Sequence, residues 1–192
     1  RGSKVTDFEG GVRAVAFISG GYLPSNVRGT SFTGFIHAAD WYATLCNLVG
    51  VSPEDNAQGI PAVDSIDVWS SLLVPNGNST PRTEIFLSFS NVSNDPTAGQ
   101  GKGDQALIVG QYKIVIGRQN GRGTWQGPVY PNGTADPFDD ASCVNGCLFD
   151  IFADPTEHDN LKSVMADVWD RLFSRLVVLS KTVYQTDYSE PG

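Results

Sequence analysis

Asn160-Leu161-Lys162-Ser163-Val164-Met165-Ala166-Asp167-Val168-Trp169-Asp170-Arg171-Leu172-Phe173-Ser174-Arg175-Leu176-Val177-Val178-Leu179 carries the strongest periodic signal in the chain. Leu161, Val164, Met165, Val168, Trp169, Leu172, Phe173, Leu176 and Leu179 recur at spacings of three and four, with Lys162, Asp167, Asp170, Arg171 and Arg175 between them. At 3.6 residues per turn these apolar positions share one face, which predicts an amphipathic helix over 161–181 with Asn160 as its cap. Such a stripe needs a partner surface. The segments before it supply one: Glu84–Phe89, Ala106–Val109, Tyr112–Ile116 and Leu148–Ile151 are short apolar runs of strand length. The middle two are joined at Gly110-Gln111, a hairpin signal. A four-stranded antiparallel sheet covered on one face by the long C-terminal helix is a small α+β domain, expected over 76–192.

Upstream the pattern changes. Val74–Pro81 is rich in Pro, Gly, Asn, Ser and Thr and reads as a linker. Before it, Val12–Ile18 is expected to be a short buried strand bounded by Gly10-Gly11 and Gly20-Gly21. His37 to Val49 reads as a helix with Trp41, Leu45, Leu48 and Val49 on its buried face and Gly50 as its stop. Asp40 falls in its first turn, where a carboxylate complements exposed amides. Ile66–Leu73 is expected to form a second short helix. Residues 1–75 thus look like the edge of an α/β domain, and the absence of an initiator Met before Arg1 adds the expectation that the chain is a portion of a longer protein.

A chain of 192 residues with 40% apolar and 18% charged residues is expected to fold around a core. Its formal net charge of −8 and scattered basic residues give no footprint for nucleic acid, and no apolar run is long enough to span a bilayer. Of three cysteines, Cys143 and Cys147 flank a Val-Asn-Gly turn that can bring their sulfurs together. A local disulfide is the expectation, two free thiols the alternative. Zinc lacks its further ligands. Cys46 is expected to pack as a small buried hydrophobe. Asn78, Asn91 and Asn132 begin N-x-[ST] triplets and are candidate glycosylation sites. Asp139-Asp140 reads as a solvated turn, and Gly99-Gln100-Gly101-Lys102-Gly103 departs from a phosphate loop in lacking both its early glycine and the Ser/Thr after lysine.

The opening, Lys4-x3-Phe8-Glu9-Gly10-Gly11-x-Arg13, resembles a motif of the sulfatase family, most closely its arylsulfatase B-like branch. Further matches follow in the family's order. His37-x-x-Asp40-Trp41-Tyr42-Ala43-Thr44-Leu45 has Ala43 where proline is usual. After it come Asp64-Ser65-Ile66-Asp67-Val68-Trp69, Pro81-Arg82-Thr83-Glu84-Ile85 and Gly110-Gln111-Tyr112-Lys113. Leu148-Phe149-Asp150-Ile151-x-x-Asp154-Pro155-x-Glu157-x-x-Asn160-Leu161 closes the series.

The resemblance implies the end of an alkaline-phosphatase-like catalytic domain followed by the small C-terminal domain of a sulfuric ester hydrolase. It implies that Lys4 contacts the substrate sulfate. Glu9 and Arg13 read as a structural ion pair flanking the Gly-Gly step, and His37 and Asp40 as structural residues of the helix start, because the family's catalytic histidines come from earlier segments. His158 is expected to be exposed. The intact enzyme would use a formylglycine nucleophile and calcium, and neither the modified cysteine nor the metal ligands lie in this chain. Alone it is expected to be inactive. Implied partners are a sulfate-ester substrate, in particular a sulfated carbohydrate, and the missing N-terminal part of the catalytic domain. The implied location is secreted, or lysosomal or endomembrane. Asn91–Gly103 and Arg118–Ser142 are candidate cleft-wall loops. The rival readings are a non-catalytic extracellular domain, a gene-model fragment with no role of its own, and a related phosphoester or phosphonate hydrolase.

Overall fold

Along the chain the regular elements are α1 (Glu9–Val12), α2 (Asp40–Leu48), α3 (Trp69–Leu72), β1 (Glu84–Phe89), β2 (Gln105–Val109), β3 (Tyr112–Ile116), β4 (Cys147–Asp150) and α4 (Ala166–Ser180), in a computed structural model. The structure describes residues 1–89, 104–117, 119 and 143–183. Asn91, Asn132, Asp139-Asp140, the Gly99–Gly103 segment and most of the 118–142 loop lie outside them. Two compact units form, one from residues 1–14 and 86–192, the other from 15–85. This division differs from the expected one at 75/76 because the first residues find their partners on the sheet.

The sheet runs in the order β1-β2-β3-β4. β2 and β3 pair antiparallel from Val109 opposite Tyr112 to Gln105 opposite Ile116, and β4 adds to β3 antiparallel with Leu148 opposite Ile114. Gly110 turns the hairpin at φ +56°, a left-handed conformation that glycine adopts without steric cost. Leu107, Ile114 and Leu148 form one row across the sheet and pack against Val168, Leu172 and Leu176 of α4. The expected sheet-and-helix layer is present.

The opposite face is covered as well. Its row is Ile108, Lys113 and Phe149, all buried, and Phe8 meets Phe149 edge-to-face at 6.2 Å. Residues 1–12 therefore act as a second cover, which is why β2 and β3 read as continuous apolar runs and not as alternating ones. A fully buried phenylalanine contributes about 1.5–3 kcal/mol through its burial.

Several expectations are corrected. No strand forms over 12–18: α1 ends at Val12, and Val15 and Phe17 are 98% and 89% exposed, with no ladder partner among the described residues. An apolar run becomes a strand only where a neighbour accepts its hydrogen bonds. The second helix starts at Asp40, and its buried positions are Asp40, Ala43 and Thr44, while Leu45 and Val49 are exposed. That face is selected by polar bonds, not by the apolar stripe. The third helix is reduced to Trp69–Leu72, since Ile66 and Val68 give their amides to Asp40 and Thr44 side chains instead of a helical ladder. α4 begins five residues later than the periodicity predicts, because Asn160 Oδ1 accepts from Leu148 N and Lys162 N and closes a turn of its own. Val164 and Phe173 leave the buried stripe, and Cys46 is half-buried and free.

Leu172 is wholly buried at the centre of the stripe, while Arg171 is exposed. Leu172→Ala should cost about 2–5 kcal/mol and Arg171→Ala no more than about 0.5 kcal/mol. Denaturant unfolding of the two variants checks the assignment, and equal costs would contradict it.

Candidate functional site

Residues 1–12 form a tight turn that carries Lys4 at its exposed tip. Thr6 donates to Ser3 O through both its amide (3.1 Å) and its hydroxyl (2.8 Å), and Gly10 N donates to Arg1 O at 2.8 Å. Val5, next to Lys4, has φ +72°, an uncommon conformation for a β-branched residue. Gly10 and Gly11 are obligatory: a Cβ on Gly10 would collide with the backbone of Arg1 and Gly2, and one on Gly11 with the backbone of Thr6 and Ser3. The Gly-Gly step thus serves close packing of the turn on itself.

Two side-chain clusters fasten this turn to the sheet. In the first, the wholly buried Lys113 Nζ on β3 lies 3.0 Å from Glu9 Oε1 and 2.8 Å from Glu157 Oε1. The contact with Glu157 is an ion pair by distance, its angles falling short of an aligned hydrogen bond. Glu157 Oε2 accepts the amide of Glu9 at 2.9 Å. Burial pushes the Glu157 carboxyl above its ordinary value, against the opposing pull of Lys113 and the Glu9 amide. Arg13 reaches Glu9 at 3.9 Å from an exposed position, so Glu9 has two cationic neighbours, the nearer of them buried. In the second cluster Gln119 Oε1 accepts Asp7 N at 2.6 Å, Gln119 Nε2 donates to Asp7 Oδ2 at 3.3 Å and to Ile116 O at 3.2 Å, and Ser88 Oγ donates to Asp7 Oδ2 at 2.6 Å. Arg1 completes the wrap, its guanidinium 4.5 Å above the Phe8 ring.

In the 15–85 unit the sequence motifs converge on Asp40, which is wholly buried. Its carboxylate accepts His37 N at 2.7 Å, Ile66 N at 3.0 Å and Arg82 Nε at 2.6 Å, with a further bond from Arg82 Nη2. Arg82 also donates to Asp64 O at 2.7 Å. Ser65 Oγ takes the Ala43 amide and donates to Ala39 O. His37 Nδ1 accepts Ala39 N at 3.2 Å, so the ring lies at the helix start. Burial alone would raise the Asp40 carboxyl, but the bonds from Arg82, Ile66 and His37 outweigh it and hold it below its ordinary value.

Cys143 and Cys147 are joined in a disulfide with their Cα atoms 5.1 Å apart, and Asn78 is exposed. His158 is half-buried, its Nδ1 2.8 Å from Thr156 Oγ1, where exposure was expected. Lys113, Glu157, Gln119 and Arg82 are the structurally central polar residues that sequence reasoning gave no role. A lysine inside the apolar run Tyr112–Ile116 is the signal for the first of them, since a buried ammonium requires carboxylates. Among the described residues no three His, Cys, Asp or Glu side chains gather to hold a metal ion, and no helix is long and apolar enough to cross a membrane.

No protein-family model matches the chain. Arylsulfatase J of Mus musculus is 29% identical to it over an alignment of 203 positions that covers 98% of this chain and 32% of that protein. The chain thus spans about a third of that relative's length. A solved structure headed "Metabolism of multiple glycosaminoglycans by bacteroides thetaiotaomicron is orchestrated by a versatile core genetic locus (BT33336S-sulf)" aligns with 23% identity and a TM-score of 0.40, covering 75% of this chain and 24% of that one. The likeness to a C-terminal sulfatase portion extends over nearly the whole chain.

Asp40→Ala should destabilise the 15–85 unit by about 3 kcal/mol, the low end for stripping a buried ion pair of one partner, because Arg82 retains some exposure. Since the folded-state pKa of Asp40 lies below its ordinary 3.8, its contribution is complete above that value and is lost as pH falls through the folded pKa. Asp40→Asn should therefore flatten the loss of stability below about pH 4, read by thermal melting across an acid pH series.

Proposed function

We propose that this chain is the C-terminal portion of an arylsulfatase-like sulfuric ester hydrolase whose intact form cleaves a sulfate ester to sulfate and an alcohol. The observation that carries the reading is the alignment of an arylsulfatase over 98% of the chain. The ordered motifs from Lys4-x3-Phe8-Glu9-Gly10-Gly11-x-Arg13 to Leu148–Leu161 support it. The small α+β domain follows the end of the catalytic domain, and a sulfated carbohydrate is the proposed substrate class.

In this reading Lys4 contacts the substrate sulfate. A compact ammonium stabilises charge on the sulfate oxygens as the group transfers, and does so best when it needs no reorganisation. The self-bonded turn of residues 1–12 supports that role, since it holds the Lys4 backbone before any ligand arrives. Glu9, Arg13, His37 and Asp40 are structural.

The intact enzyme is proposed to use calcium and a formylglycine. The residues in hand fit neither: the described ones gather no metal ligand set, Cys46 precedes Asn47-Leu48-Val49-Gly50, and Cys143 and Cys147 are bonded to each other. Both groups are proposed to be held by segments beyond residues 1–192. A secreted or lysosomal location is proposed, supported by the disulfide and by glycosylation acceptors of which Asn78 is exposed.

Lys4→Ala in the full-length protein should lower kcat for an aryl sulfate by about 10²–10³-fold, the range for losing one electrostatic donor, with little change in melting temperature. Steady-state kinetics beside thermal melting tests this, and near-normal turnover would remove Lys4 from the site. The 192-residue chain alone should not turn over an aryl sulfate in the presence of calcium, and calcium-dependent turnover by it would overturn the fragment reading.

A further inference from the structure

We propose that Lys113, Glu157 and Gln119 are positioning residues for Lys4, so that the sheet unit sets the placement of the sulfate-contacting ammonium. The inference rests on the role proposed for Lys4 and assigns a part in turnover to residues of the small α+β domain.

Three observations in one unit carry it. First, the bonds from the sheet unit to the turn are directional and fall on the main chain: Gln119 Oε1 takes the Asp7 amide at 2.6 Å and Glu157 Oε2 takes the Glu9 amide at 2.9 Å. Fixing two alternate amides fixes both the register and the direction of the turn that leads back to Lys4. Second, the arrangement goes beyond what covering a sheet face requires. Phe8 on Phe149 already supplies an apolar cover, yet Lys113 and Glu157 are wholly buried beside it. Buried ion pairs return little net stability compared with apolar side chains of the same volume; what they add is geometric definition. Third, backbone strain collects here. Among the described residues four non-glycine positions have positive φ, and three of them are Val5 (+72°), Gln119 (+54°) and Glu157 (+59°). One neighbours Lys4 and the other two hold the turn. Strain of this kind persists only where surrounding bonds over-determine it, and it concentrates at sites whose geometry is used.

A side chain displaced by about 1 Å from its productive place lowers turnover by about 10²-fold. The test is a set of cycles in the full-length protein, with Lys113→Met, Glu157→Gln and Gln119→Ala each made alone and together with Lys4→Ala. An aryl sulfate is the substrate, and kcat, KM and melting temperature are measured for every variant. Alone, Lys113→Met should lower kcat by about 10²-fold and Gln119→Ala by about 10-fold. In the Lys4→Ala background the same substitutions should add almost nothing, because their effect travels through Lys4. A merely structural role gives losses that multiply with that of Lys4→Ala, and that result overturns the inference. Should Lys113→Met fail to fold, Gln119→Ala carries the test alone, since it leaves the ion cluster intact.

A second readout needs no catalysis. In the 192-residue chain, Gln119→Ala and Glu157→Ala, which remove the acceptors of the Asp7 and Glu9 amides, should speed hydrogen exchange at the amides of Thr6, Asp7, Glu9 and Gly10 by about 10-fold or more while β3 amides keep their protection. Unchanged exchange at the turn overturns the inference. Near-normal turnover for Lys4→Ala alone refutes the function proposed for that lysine, and with it the catalytic consequence of positioning. Multiplying losses refute only the positioning.

Discussion

The Lys113 ammonium, held between Glu9 and Glu157 inside the protein, is the constraint around which the sheet unit is organised. A wholly buried lysine in a central strand is prohibitive unless carboxylates reach it, and no residue of β2 or β4 opposite it supplies one. The carboxylates come from two distant segments: the opening turn and the bend before the last helix. Each must dock for the other to be tolerated. That reciprocity explains why Glu157 accepts a left-handed backbone and why the Gly-Gly step follows Glu9 directly. A Cβ on either glycine would lift the turn from itself and withdraw Glu9 from the ammonium.

The 15–85 unit solves a related problem with one carboxylate. Asp40 gathers four donors from three segments, and in doing so ties the start of α2 to the extended run 64–68 and to Arg82. Ser65 and Thr44 repeat the device on a smaller scale, each satisfying a main-chain amide across the same junction. The unit has few buried apolar side chains, Val27, Ala43, Val68 and Ile85, so specific polar bonds define its local geometry. This is also why α2 turns its polar-bonded edge inward and leaves Leu45 and Val49 in solvent.

The parts of the fold that were legible in the sequence are those set by local period. The hairpin follows from two apolar runs around Gly110-Gln111, and α4 from its spacing of three and four. The disulfide follows from two cysteines four positions apart with a turn between them. What escaped depends on long-range partners. Val12–Ile18 has the composition of a strand, but composition does not provide the neighbour that makes it one. The second cover of the sheet was hidden because Phe8 and Glu9 meet residues more than a hundred positions away. Lys4 and Asp40 drew notice through motif resemblance, whereas Lys113 and Glu157 sat within quoted motifs without a role. A charge embedded in the apolar run Tyr112–Ile116 is the physical clue that would have singled out Lys113, and with it the need for a buried carboxylate.

The sequence distance spanned by the turn's anchors has a consequence for how the chain acquires its structure. Glu9 bonds to Lys113 across 104 residues, Asp7 to Gln119 across 112, and the Glu9 amide to Glu157 across 148. Closing loops of that size adds little to equilibrium cost but delays the step, since the ends must find each other after the intervening chain exists. During synthesis at about 5–20 residues per second, the opening segment would wait about 7–30 s between its own emergence and that of Glu157. Lys113 emerges first and Phe149 only shortly before Glu157, so for most of that interval Phe8 has no ring to pack against and Glu9 lacks the second carboxylate that completes its cluster. The first residues are therefore among the last to reach their native place, and the aromatic they carry is buried late.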